Sequence, residues 1–178
     1  MTGRPDVTEY APFYGGYVSL VPESDVVPVL EQQTAVLERQ ARRFVPSLEQ
    51  HRYAPGKWSV REVIGHIIDA ERVFGFRAFC FSRGEVNPLP GFDQNDYVAT
   101  GGFDRRGLMD LIDEFAQVRQ ANLVVFKRLD EDAWKRVGTA SGKPVSVRAL
   151  AYIMGGHVRH HVNILTSHYA AGTEATHE

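Results

Sequence analysis

Four stretches of this 178-residue chain carry apolar side chains at helical spacing, and together they commit most of it to helix packing. The first runs from about Asp25 to Gln50, with Val26, Leu30, Ala35, Leu37, Phe44 and Leu48 over one broad side and Pro28 tolerated in the first turn. The second, about Val60 to Ser82, opens on Ser59 with Glu62 three residues later. In that pairing the hydroxyl takes one orphan backbone N–H and the carboxylate reaches back to another. The third spans roughly Asp104 to Leu129, and the fourth, Val147 to Tyr169, is capped by Ser146. Strand signals are few; the turn-rich WKRVGTASGKPVSV has room for one small hairpin about Ser141-Gly142. Helices that must each bury an apolar stripe predict an all-α fold, a four-helix bundle.

The bundle is expected over residues 23–170, between an irregular aromatic arm (1–22) that packs on it and a frayed tail (171–178). Residues 83–103, with two prolines and four glycines, form a long loop between the second and third helices. A loop of that length in a compact domain is usually functional or a lid. A net charge of -2 argues against a broad basic surface and against nucleic acid as a partner. No apolar stretch approaches the ~20 residues of a membrane span, and the N-terminus lacks a signal-peptide pattern. The one cysteine, Cys80, cannot form an intrachain disulfide, so a cytoplasmic location is expected. Cys80 lies about 21 Å along the helix from His66 and reads as core packing.

Chemistry concentrates in GGHVRHH, residues 155–161. At about 100° per residue, His157 and His161 lie some 40° apart on one helix face, the spacing that lets two imidazoles grip one ion. His160 falls about 100° from His161 and is expected outside the ligand set, as a supporting or surface group. His168 sits on the same side but about 10.5 Å from His161, too far to share the ion. A bundle builds metal sites from facing helices, and His66 in the second helix is the candidate third ligand. Three nitrogens would leave an open position; the alternative is three hydrogen-bonded core histidines. Asp69, one turn from His66, either fixes an imidazole tautomer or is simply solvated. Arg77, about 16 Å along the same face, either meets a substrate carboxylate at a pocket edge or forms a surface ion pair. Asn95 and Tyr97 in the long loop are placed to close over the site. Gly155 and Gly156 each cost about 1 kcal/mol in a helix interior, so something must come close to that helix, either a neighbour or a substrate. Gly65, beside His66, points to close approach of the second and fourth helices.

The motifs GKWSVREVIGHIIDAE (56–71), PGFDQNDYVA (90–99) and YIMGGHVRHHVNIL (152–165) resemble those of the DinB-like, damage-inducible superfamily of four-helix metalloproteins, distinct from the DNA polymerase that shares the name. The resemblance implies a divalent metal, nickel or zinc, held by His66, His157 and His161, and a homodimer. It also implies a capacity for thiol transfer, in which a low-molecular-weight thiol is activated to attack an electrophile, as in bacillithiol S-transferases and mycothiol-dependent isomerases. A non-catalytic metal- or ligand-binding module of the stress response and a metal-dependent hydrolase are the alternatives. Hydrolysis ranks below thiol transfer, because no HExxH accompanies the histidines and Asp69 is the single candidate base.

Overall fold

The computed structural model describes residues 2–169, so the tail expected over 171–178 lies outside the described residues. The Ser59–Glu62 capping box is formed and opens the longest helix, α3 (Val60–Ser82). The other long helices are α2 (Val26–Ala41), α5 (Leu108–Phe126) and α7 (Val147–Ile164), the last capped by Ser146 and continued by a π-helical turn, Leu165–Tyr169. Short helices α1 (Gly15–Ser19), α4 (Gln94–Gly101) and α6 (Glu131–Lys135) lie between them. The hairpin forms as strands β1 (Val137–Ala140) and β2 (Lys143–Ser146), with Val137 opposite Ser146. Ser141 and Gly142 both have positive φ, the two-residue turn whose twist suits an antiparallel pair.

Three expectations are corrected. The first helix ends at Ala41 rather than near Gln50: Pro46 disfavours helical backbone at Val45, and a 3₁₀ turn, Pro46–Leu48, follows. The third begins at Leu108 rather than near Asp104, because Phe103–Arg105 forms a separate 3₁₀ turn. The long loop contains α4, whose Asp93 accepts from the Asn95 and Asp96 amides and whose end is marked by Gly102 in the left-handed conformation.

Helix α2 packs on α5 and α7, and α3 packs on the same two, so α2 stands diagonally across the bundle from α3, and α5 from α7. The core falls into two apolar clusters, one containing Leu30, Phe74, Leu123 and Leu150, the other Leu37, Ile64, Phe115 and Leu165. Helices α2 and α7 run from the first cluster to the second, α3 and α5 from the second to the first. The packed neighbours α3 and α5 are therefore parallel, and the chain must travel back along the bundle between them. That return is the long segment between Ser82 and Leu108.

Between the clusters lies a buried polar layer. Arg119 (0 % exposed) makes a two-pronged ion pair with Glu71, at 2.7 and 2.9 Å. It also donates to the Leu30 carbonyl and to Gln33 Oε1. Gln33 Nε2 donates to the Gly155 carbonyl at 2.6 Å, which ties α2 to α7 two residues before His157. The arm that precedes α2 is held by the Glu9–Arg148 ion pair, by Arg4 on the Val21 carbonyl and by Arg159 on the Leu20 carbonyl. No helix among the described residues is long and apolar enough to cross a membrane.

Candidate metal centre

His66 comes from α3 and His157 and His161 from α7, and the packing of those two helices sets the three imidazoles against each other. All are buried. His157 Nε2 lies 2.9 Å from His66 Nε2 and 3.1 Å from His161 Nε2. One nitrogen from each ring falls within 4.8 Å of the other two. A neutral imidazole has one N–H and one lone pair. His157 Nε2 therefore satisfies one of its two neighbours by hydrogen bonding and leaves the other nitrogen facing a nitrogen. A divalent cation held by all three removes the conflict, so the residues fit a metal. Three imidazoles are a donor set that zinc, nickel, copper and iron all accept.

Burial keeps the rings neutral. It lowers the His66 pKa from 6.5 to about 4, with the charge of His160 adding to the effect. It lowers His161 to about 2, with His66 and His160 contributing, and His157 well below its ordinary value. Neutral rings present lone pairs, which is the form a metal needs.

The surroundings are mostly aromatic. Trp58 lies against His66 with ring centroids 4.7 Å apart, and its carbonyl accepts from the Tyr169 hydroxyl at 2.6 Å. Tyr17 meets His157 at 5.3 Å and His160 at 5.4 Å. Tyr17 reaches the centre because α1 lies directly on α7: a Cβ at Gly156 would drive into the Tyr17 backbone carbonyl. Gly65 serves a different neighbour from the one expected, the Phe103 ring rather than α7. Sequence reading missed both Trp58 and Tyr17. Gly156 was the signal for the second, since it marked a close approach without saying by what.

His160 stands outside the three-nitrogen cluster, its ring 5.0 Å from that of His161. Asp69 does not hold the His66 ring, because the buried His66 Nδ1 has no hydrogen-bond partner among the described residues. The Asp69 carboxyl is half-buried; burial raises it to about 6 against the pull of Arg72, with Glu114 adding to the rise. Asn95, Arg77 and Tyr97 do not share one pocket. Asn95 lines a cavity of about 240 Å³ together with His161, Trp58, Tyr53, Lys57 and Tyr169. Arg77 and Tyr97 line a second cavity of about 290 Å³.

Residues 30–165, well over half the chain, match the DinB superfamily. The chain belongs to the DinB superfamily. No curated protein matches it. Among solved structures it is similar to YfiT from Bacillus subtilis, described as a probable metal-dependent hydrolase with an unusual four-helix bundle topology. That likeness has a TM-score of 0.73 at 17% identity and covers 79% of this chain and 82% of the other. It is also similar to a mycothiol-dependent maleylpyruvate isomerase, with a TM-score of 0.67 at 18% identity over 83% of this chain. This DinB chain spans 62% of the isomerase's length. At such identities the likeness shows a shared fold, and the chemistry has to come from the site itself.

Proposed function

We propose that this DinB protein is a metal-dependent thiol S-transferase, with His66, His157 and His161 holding nickel or zinc and the cavity beside His161 receiving thiol and electrophile. The convergence of three buried Nε2 atoms carries the reading. A divalent cation with an open position lowers the pKa of a bound thiol and so supplies thiolate at neutral pH. The chain's residues do the rest. Burial and the ring of Trp58 exclude water from the imidazoles and fix their orientation. Lys57 places a cation at the same cavity as His161, where it faces a substrate anion, and the Asn95 amide offers both donor and acceptor.

Thiol transfer is favoured over hydrolysis because no carboxylate among the described residues lines this cavity. A bound water would need such a base to be aimed and deprotonated, whereas a thiol, with a free pKa near 8.5, needs only modest help. A homodimer and a cytoplasmic location complete the proposal. Assaying metal-loaded protein with glutathione, coenzyme A, mycothiol and bacillithiol and a chromogenic electrophile tests it. Turnover with at least one thiol, reduced to the uncatalysed level in His161→Ala, is the expected result. A metal-loaded protein that accelerates none of these reactions is instead a binding module.

A further inference from the structure

The two most deeply buried arginines of this chain are treated very differently. Arg119 is neutralised by Glu71 in a two-pronged pair. Arg77, only 2 % exposed, makes no ion pair with any described residue. Its Nη2 donates to the Pro90 carbonyl at 2.8 Å and to Ser141 Oγ at 3.0 Å. Its guanidinium lies 5.8 Å from the Phe74 ring centre and 5.9 Å from that of Phe92, beside the Tyr14 phenol. Guanidinium does not lose its proton inside a protein, so the charge persists, and a buried charge calls for an opposite one. Dipoles and ring faces compensate it only in part.

Arg77 also lines a cavity of about 290 Å³ whose walls are mostly apolar: Phe76, Leu89, Phe92 and Tyr97. The two charged side chains on that lining, Arg72 and Arg77, are both cations, and among the described residues no Asp or Glu joins them. Arg72 is already paired with Glu114 at 2.7 Å. Phe76 (57% exposed) and Tyr97 (45% exposed) leave apolar surface at the rim. We infer that this cavity is a binding site for a small apolar carboxylate, its carboxylate on Arg77 and its hydrocarbon or aryl portion against Phe76, Phe92 and Tyr97. The site is separate from the metal cavity. The two cavities share no lining residue; the Phe74 ring is 5.8 Å from the Arg77 guanidinium and 6.2 Å from the His157 ring. The site does not depend on the metal reading.

Calorimetric titration of the metal-free 178-residue chain with phenylacetate and with its neutral counterpart phenylacetamide tests the assignment. A charge-assisted contact favours the acid about tenfold or more over the amide. Tyr97→Glu, at an exposed position that tolerates substitution, puts a carboxylate at the mouth. Both ligands lose the Tyr97 ring contact, but only the acid meets a like charge, so the acid should weaken about tenfold more than the amide. Arg77→Met should abolish the preference; if that variant does not fold, Tyr97→Glu decides alone. Acid and amide binding equally, acid failing to bind, or acid and amide weakened alike by Tyr97→Glu would each overturn the site. Acid that binds metal-loaded but not metal-free protein sits on the metal, and that too overturns it.

Discussion

Gly155 and Gly156 are neighbours in one helix, yet they answer to different constraints. A Cβ at Gly156 meets the Tyr17 carbonyl, which is backbone and cannot swing aside. At Gly155 the nearest atoms are the Val21 and Leu30 methyl groups, at 3.4 and 3.6 Å, ordinary packing distances. Gly155→Ala should therefore be neutral or stabilising by up to about 1 kcal/mol, since alanine is the better helix former. Gly156→Ala should cost about 2 kcal/mol or more by overpacking and lift α1 from the metal centre. Urea denaturation of the two variants checks this, and equal effects would mean that α1 does not lie on α7 as described. His66 makes the second prediction at this scale. Its pKa is 6.5 when unfolded and about 4 when folded, so the unfolded state binds more protons between those values. The stability that neutral His66 contributes is fully present above pH 6.5 and is lost as pH falls towards 4. His66 should account for about 3 kcal/mol of the stability that metal-free protein loses across that window, and His66→Phe should lose less by about that amount. Denaturation midpoints measured across that pH range would show it.

Among the elements, those with strong local chemistry were legible in the sequence. The capping box of α3, the Ser146 cap of α7 and the Ser141-Gly142 turn each fix backbone through their own side chains or their tolerance of positive φ. Helix α4 was not legible, although Asp93 and Gly102 mark its ends, because its eight residues carry no sustained apolar period and Val98 is its one buried residue. The end of α2 was overrun because Phe44 and Leu48 continue the apolar spacing past the point where Pro46 stops the helix. At the site, the shared face of His157 and His161 follows from helix geometry within α7. The approach of His66, Trp58 and Tyr17 depends on which helices and which arm pack there, and periodicity carries no such information. The polar layer is tested here as well. Removing the carboxylate in Glu71→Ala leaves Arg119 buried without its counter-charge and should cost about 3–5 kcal/mol. Removing the exposed Glu38 partner of Arg42 should cost under about 1 kcal/mol. Equal losses for the two variants would show that the layer is not dry.

At the scale of the molecule, the parallel pairing of α3 and α5 explains the long return segment and gives it two tasks. On its way back along α3 it supplies Leu89 and Phe92 to the Arg77 cavity, and then Asn95 to the cavity of His161. A loop that length and composition single out as functional is therefore also a topological necessity. The metal centre joins α3 to α7 across one of the four packed helix faces, so a bound ion should stabilise the whole fold. At a free metal concentration a thousandfold above Kd, the gain is about 4 kcal/mol. Metal binding by the three histidines is the centre of this account, and elemental analysis of protein purified without chelators measures it most directly. About one divalent ion per chain is expected, falling below about 0.2 in His66→Ala and in His161→Ala while His160→Ala retains it. Purified wild-type protein that holds no ion, takes up none on titration with nickel or zinc, and keeps its fold would contradict it.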